Sequence, residues 1–128
     1  MTVLPAFKGI NADIKYIASS GGVSGTALAK KHGIANSTSD YKEMIKDKEV
    51  DTLIITTRHN LHASMTIEGL KADKNVFVEK PLALNIGELN DIIDAYENNN
   101  GTVTVGFNRR FSPHIQKMKA LVGGKDIP

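Results

Sequence analysis

The chain has 128 residues, of which 41% are hydrophobic and 23% are charged, and this size and composition predict a single globular domain over 1–128. No apolar stretch reaches the roughly 18 residues that a membrane span needs, and the first residues lack the basic and apolar regions of a signal peptide. We therefore expect no membrane partner and a cytoplasmic location. The net charge of +2 is too small to predict nucleic-acid binding, and the lack of cysteine excludes disulfides, thiolate metal sites and cysteine nucleophiles.

Strand and helix signals alternate along the whole chain. Their order is strand 14–19, helix 24–32, weak strand 34–37, short helix from 40, strand 50–56, helix 62–71, strand 75–78, helix from 85, strand 102–107 and helix from 113. This alternation predicts an α/β fold with right-handed βαβ units, in which helices cover both faces of a doubly wound parallel sheet.

Several helix ends carry specific signals. Gly33 stands where a left-handed residue ends a helix, and Asp40 begins a capping box. Asn85 is a predicted N-cap, as is Ser112, which precedes Pro113 at the first helical position. In the last helix, Ile115, Met118, Leu121 and Val122 are predicted to form an apolar face.

Polar, glycine-bearing or proline-bearing clusters follow four of the predicted strands. They are Ser19–Gly25, Thr56–His62, Glu79–Pro81 and Gly106–Arg110. The carboxyl ends of parallel strands lie at one edge of a sheet, where ligands bind in open α/β folds. The four clusters therefore predict a binding crevice at that edge.

Glu79, Lys80 and Pro81 end an apolar run abruptly, so they are candidates for a site. Lys80 could orient a hydroxyl or carbonyl and stabilise negative charge there, with Glu79 on a ribose or holding the lysine. The alternative is a surface Glu-Lys pair before a proline that starts the next helix. Spacing alone leaves both open.

The segment after strand 50–56 suits the ribose hydroxyls and carboxamide of a nucleotide cofactor. Its candidate side chains are Thr56, Thr57, His59, Asn60 and His62. Alternatively, Asn60 caps the following helix and the imidazoles are incidental. Two histidines three residues apart, without a carboxylate nearby, are a weak metal signal, so we predict no metal site.

Two further segments have open alternatives. Asn108 and Arg109 offer amide and guanidinium donors for a carboxamide or phosphate, or else they solvate a helix end. The run Ser20–Gly25 matches two of the three glycines of the dinucleotide-binding G-x-G-x-x-G pattern. If it held a nucleotide or phosphate, the chain would be a complete small α/β binding or interaction module.

Three segments together resemble one family: Val78–Pro81, residues 57–63 and Gly106–His114. They are similar to the Gfo/Idh/MocA oxidoreductases, in particular to the branch fused behind an alcohol-dehydrogenase-like domain. The resemblance implies a Rossmann domain that binds NAD or NADP. It also implies hydride transfer between the nicotinamide and a hydroxyl-bearing carbon of a sugar-like or cyclitol-like small molecule.

The resemblance also assigns roles. Lys80 would be catalytic, near nicotinamide and substrate, and Arg58 occupies a position where the family often has proline or asparagine. The cofactor-binding residues would be Ser19, Ser20, Thr56, Thr57, His59, Asn60, His62, Glu79, Lys80, Pro81, Asn108 and Arg109. Ser19 and Ser20 would stand at the position that selects the cofactor, where the lack of an acid favours NADP slightly.

In the family's register, residues 1–8 are the second half of the first helix, so 14–19 is the second strand. The first strand and the glycine-rich loop would then precede Met1, and the second domain would begin near Asp126. We therefore expect a truncated Rossmann-like domain that is inactive alone. Because the missing strand is central, we expect strands 14–19 and 50–56 to pair directly, or a homo-oligomer to cover the gap.

Overall fold

The structure, a computed structural model, describes residues 4–7, 9–21 and 23–122. In chain order its strands and α-helices are β1 Tyr16–Ala18, α1 Val23–His32, β2 Asn36–Thr38, α2 Tyr41–Lys46, β3 Thr52–Ile55, α3 His62–Lys71, β4 Asn75–Glu79, α4 Ile86–Glu97, β5 Val103–Gly106 and α5 Pro113–Val122. Short 3₁₀ turns occupy Leu4–Phe7, His59–Leu61 and Asn108–Phe111. Within these described ranges, no helix is long and apolar enough to cross a membrane.

The strands belong to two sheets. β1 and β2 pair in parallel, and the other sheet has the order β3-β4-β5, with β4 parallel to β5. The predicted α/β class is confirmed. The predicted direct pairing of 14–19 with 50–56 is wrong, because β1 pairs with β2 while β3 pairs with β4 in the other sheet.

Contacts divide the chain into two compact units, unit 1 (Met1–Leu53) and unit 2 (Ile54–Pro128). In unit 1, helix α1 lies close to its sheet at Gly25. A Cβ at this position would stand 3.0 Å from Ser19 Cβ and 3.4 Å from Ser37 Oγ, so the glycine permits the close approach.

Unit 1 also contains an ionic cluster around Lys15. Lys15 Nζ lies 2.6 Å from Asp47 Oδ2 and 2.5 Å from Glu49 Oε2, and the Tyr16 hydroxyl donates to Asp47 Oδ2 at 2.9 Å. The Lys15 ammonium, then the Glu49 backbone N–H and the Tyr16 hydroxyl, lower the pKa of the Asp47 carboxyl from 3.8 to about 2. The carboxylates of Asp47 and then of Glu49, which accept from its ammonium, raise the pKa of Lys15.

Unit 2 is organised around one apolar cluster. Its buried members are Ile55, Ala63, Leu70, Val76, Val78, Ile92 and Ala95. They come from β3, α3, β4 and α4, so these two helices pack against these two strands around a shared core. Beside it, Gly101 leaves no room for a side chain, since a Cβ there would stand 2.2 Å from the Lys74 carbonyl oxygen.

Most predicted helix ends are confirmed. Gly33 has φ +68°, Asn85 Oδ1 accepts from Glu88 N at 2.9 Å, and Ser112 Oγ accepts from Ile115 N at 3.4 Å. Asp40 caps α2, but through Lys42 N rather than through the reciprocal box.

The predicted apolar face of α5 is exposed, because no residue of α5 is buried within the described part of the chain. Other expectations fall on undescribed residues: 1–3 and 8 of the predicted helix remnant, Gly22 of the Ser20–Gly25 loop, and the domain start near 126.

Candidate functional site

The candidate site in unit 2 is formed by the three segments that follow β3, β4 and β5. Thr56–Asn60 is exposed after β3, and Lys80 is exposed after β4. Arg109 is exposed in the 3₁₀ turn after β5. Hydrogen bonds between these segments show which of the predicted residues the fold brings together.

His62 joins the segments after β3 and β4. It is the first residue of α3 and is fully buried, with 0% exposure. Its Nδ1 lies 2.7 Å from the Pro81 carbonyl oxygen, and its Nε2 lies 3.1 Å from the Thr57 carbonyl oxygen. Both ring nitrogens therefore face the backbone, and the edge of the His59 ring packs against this imidazole with centroids 5.5 Å apart.

Glu79 and Asn108 join the segments after β4 and β5. Glu79 and Gly106 are paired at the ends of their strands, so the 3₁₀ turn starts beside Glu79. Asn108 Nδ2 donates to Glu79 Oε1 at 3.4 Å, and both side chains are half-buried. This long hydrogen bond keeps the Glu79 carboxylate at the sheet edge.

Lys80 borders an open groove of about 470 Å³. The groove follows the chain from Lys80 through Leu84 to Ile86, and Leu89 and Phe107 complete its wall. The Lys80–Pro81 peptide is cis. A single ammonium beside an apolar wall suits a ligand that has one polar oxygen next to a less polar face.

The segment after β3 presents hydroxyl and amide groups. Thr57 Oγ1 donates weakly to Arg58 O at 3.5 Å and contacts Met65 Sδ at 3.7 Å, and Thr56 is exposed. The alternative that Asn60 caps the helix is wrong, because Asn60 lies inside a 3₁₀ turn and α3 begins after Leu61 without a side-chain cap. Its exposed amide remains suited to a ligand.

Ser19 and Ser20 belong to unit 1, after β1. Ser19 Oγ lies 2.9 Å from Ser24 Oγ, which ties the strand end to the first turn of α1, and Ser20 is exposed. Within the described ranges, no group of three His, Asp or Glu side chains could hold a metal ion.

Sequence reasoning missed two features of this site. The first is that His62 binds backbone carbonyls, because a residue pattern does not reveal which main-chain oxygens a ring will meet. The second is Phe107, which lines the groove directly after the end of β5. The apolar side chain directly before Asn108 was the only available signal.

Residues 5–107 match the GFO_IDH_MocA family, described as an oxidoreductase family with an NAD-binding Rossmann fold. A myo-inositol 2-dehydrogenase of Thermotoga maritima is 34% identical over 95 residues, which are 74% of this chain and 28% of that protein. The uncharacterised oxidoreductase YrbE of Bacillus subtilis is 36% identical over 99 residues, which are 77% of this chain and 29% of that protein.

Solved structures give the same result. Levoglucosan dehydrogenase in complex with NADH and levoglucosan matches with a TM-score of 0.72 and 32% identity, over 84% of this chain and 30% of that one. A probable dehydrogenase from Thermotoga maritima matches with a TM-score of 0.77 and 30% identity, over 85% of this chain and 33% of that one. The chain thus spans about a third of the length of these relatives.

Proposed function

Because this chain belongs to the Gfo/Idh/MocA family of oxidoreductases, we propose that it supplies the dinucleotide-binding part of an NAD(P)-dependent oxidoreductase. The substrate is a hydroxyl-bearing small molecule of the sugar or cyclitol type. The names of the inositol and levoglucosan dehydrogenases support this substrate class. The activity belongs to the whole protein, of which this chain forms the cofactor side.

One observation carries the proposal: three segments with suitable chemistry are hydrogen-bonded to one another. His62 links Thr57 to Pro81, and Glu79 links to Asn108, with Lys80 exposed between the two links. A site on the ends of adjacent strands holds its groups more firmly than isolated loops do.

The chemistry of these residues fits a nicotinamide dinucleotide. Threonine hydroxyls at 56 and 57 and the Asn60 amide both donate and accept, as ribose hydroxyls and a carboxamide require. His59 and the Arg109 guanidinium extend the set of donors, and the Glu79 carboxylate can accept from a ribose hydroxyl. When bound, the cofactor supplies a hydride acceptor for the carbon that bears the substrate hydroxyl.

Lys80 takes the catalytic role in this proposal. Its ammonium has three donors and no acceptor, and its side chain is exposed beside the groove. Directed at the substrate oxygen, it orients the hydroxyl and stabilises the negative charge that develops when the proton leaves. Pro81 fixes the backbone that follows the lysine.

The choice between NAD and NADP rests on Ser19 and Ser20. The family description and the NADH-bound relatives favour NAD, in contrast to the slight preference for NADP drawn from the missing acid. Parallel titrations with NADH and NADPH, in the natural sequence and in Ser20→Asp, test the choice. An acid should weaken NADPH binding selectively, because it repels the 2′-phosphate.

The main test compares two exposed lysines of unit 2 in the whole protein. Lys80→Ala is expected to lower turnover of polyols and anhydrosugars about 100-fold or more and to change the NADH dissociation constant little. Lys71→Ala, a matched change in α3, should alter neither quantity. The proposal fails if NADH and NADPH show no saturable binding, or if both lysine variants turn over equally.

We also propose that the chain acts as one domain, that it assembles into a homo-oligomer, and that it works in the cytoplasm, where its soluble cofactor and substrate meet. Among the described residues, β3 lies at one edge of the sheet β3-β4-β5. An edge strand can pair with a further strand. Light scattering of the purified protein gives the oligomeric state, and cell fractionation gives the location.

A further inference from the structure

His62 is fully buried at the start of α3, and both of its ring nitrogens face main-chain oxygens. Its two ring nitrogens face the carbonyl oxygens of Pro81, at 2.7 Å, and Thr57, at 3.1 Å. Carbonyl oxygens only accept hydrogen bonds, whereas a neutral imidazole donates through one nitrogen alone. The ring therefore cannot donate a hydrogen bond to both oxygens unless it carries a second proton.

The two distances decide which contact dominates. A separation of 2.7 Å is at the short end of the range for hydrogen bonds from nitrogen to oxygen, and 3.1 Å is near its long end. The proton consequently sits on Nδ1, and Nδ1–H donates to the Pro81 carbonyl oxygen. The Thr57 carbonyl gains a full hydrogen bond only from a doubly protonated ring.

This bond sets the position of the lysine that precedes Pro81. The Pro81 carbonyl accepts from the ring of His62, which is fully buried in the first turn of α3. His62 lies one turn from Thr66, another fully buried residue. Lys80 itself is exposed, so its side chain has little packing of its own to fix it. A backbone anchor one residue away supplies the rigidity that the exposed side chain lacks.

We propose that His62 is a positioning residue: through Nδ1–H and the Pro81 carbonyl it holds Lys80 at the sheet edge, and it does not contact the cofactor. The turnover test of this role rests on the function proposed above, whereas the imidazole spectrum and the hydrogen exchange do not. A cofactor contact through Nδ1 would first have to break the bond to the Pro81 carbonyl, and Nε2 is covered by the Thr57 carbonyl oxygen at 3.1 Å.

The first test needs no substitution. The nitrogen-15 spectrum of the imidazole distinguishes a protonated Nδ1 from a bare one. We expect His62 Nδ1 to carry a proton at neutral pH, with a coupling across the hydrogen bond to the Pro81 carbonyl. A ring protonated on Nε2 alone would overturn the proposal.

The second test uses variants that keep one donor at a time. In His62→Asn the side-chain amide nitrogen takes the place of Nδ1, in His62→Gln it takes the place of Nε2, and His62→Phe removes both donors while keeping most of the volume. The matched control is Thr66→Val, because the Thr66 hydroxyl is buried and has no hydrogen-bond partner within the described residues.

We expect amide hydrogen exchange over 82–84 to quicken in the Gln and Phe variants and to stay unchanged in His62→Asn and Thr66→Val. In the whole protein, turnover should fall about tenfold to 100-fold in the Gln and Phe variants, since a displacement of about 1 Å can cost that much. In His62→Asn it should stay within about threefold, with the KM for NADH unchanged throughout. A purely structural role would make Asn as damaging as Phe, and that result would refute the proposal.

The outcomes also separate the two proposals. If the natural protein fails to bind NADH, the proposed function fails, while the imidazole spectrum and the exchange pattern still decide the role of His62. If NADH binds, and Lys80→Ala is impaired, but His62→Phe turns over normally, the positioning role alone is wrong.

Discussion

Unit 2 buries seven apolar side chains in one cluster, and they come from the strands β3 and β4 and the helices α3 and α4. In unit 1 the paired strands are only three residues long, and four buried apolar residues are described: Ala29, Ile34, Val50 and Leu53. There the Lys15 ammonium bridges two carboxylates, those of Asp47 and Glu49. Apolar burial does not depend directly on pH, whereas an ion pair is lost when its carboxylate is protonated, so the two units should respond differently to acid.

The largest expected effect is a backbone clash in unit 2. In Gly101→Ala the new Cβ would stand only 2.2 Å from the Lys74 carbonyl oxygen, which is too close for two non-bonded atoms. Neither backbone can yield cheaply, so we expect the free energy of unfolding to fall by about 3 kcal/mol or more, measured by urea denaturation.

The control for this change lies in unit 1. In Gly21→Ala the new Cβ meets only Ser24 Oγ at 3.6 Å, an ordinary van der Waals contact. Its effect should stay within about 0.5 kcal/mol. Equal unfolding midpoints for the two alanine variants would show that Gly101 and Lys74 do not approach each other in solution.

The next effect tests whether the apolar cluster carries the stability of unit 2. Leu70 has 0% exposure, so Leu70→Ala should lower the free energy of unfolding by about 2–5 kcal/mol. Leu121, in α5, is 77% exposed, and Leu121→Ala should be nearly neutral. A large loss in Leu121→Ala would mean that something outside the described part of the chain covers the α5 face.

Acid should act mainly on unit 1. The folded pKa of Asp47, about 2, lies below its ordinary value of 3.8, so its contribution to stability is complete above about pH 4 and is lost as the pH falls through 2. We expect the NMR signal of the Ile17 amide in β1 to change between pH 4 and pH 2 before that of Val78 in β4 does.

Two variants sharpen the acid prediction. Asp47→Asn should remove the acid transition of unit 1, because it abolishes the carboxylate that Lys15 and Tyr16 bind. Asp13→Asn, an exposed aspartate of the same unit, should leave it in place. Simultaneous loss of both amide signals in the natural protein would show that the two units unfold as one.

The same contrast explains what the sequence could predict. In unit 2 the N-cap Asn85 is a local signal, and the structure confirms it. The predicted site segments after β3, β4 and β5 followed from strand ends alone. The role of His62 did not, because its partners are main-chain oxygens 5 and 19 residues away. Nor could periodicity tell that the α5 stripe is exposed, since an apolar face indicates only that burial is favourable.

The smallest effects come from the two helix caps, one in each unit. Asn85 accepts from Glu88 N at 2.9 Å, while Glu88 Oε2 accepts from Leu84 N at 2.8 Å, so α4 begins with a reciprocal pair of bonds. The Asp40 side chain accepts from Lys42 N, at 3.0 Å, and its helix of six residues buries none of them. Asn85→Ala should therefore lower the free energy of unfolding by about 1 kcal/mol, and Asp40→Ala by less.

Hydrogen exchange distinguishes these two cap variants better than global denaturation does. Losing the Asn85 cap should raise exchange in the first turn of α4 only, because Ile92 and Ala95 anchor the rest of that helix in the apolar cluster. Losing the Asp40 cap should raise exchange throughout α2, since no buried residue holds it. If α2 kept its protection in Asp40→Ala, unit 1 would depend on packing more than on its polar contacts, and the contrast between the two units would be smaller than the structure indicates.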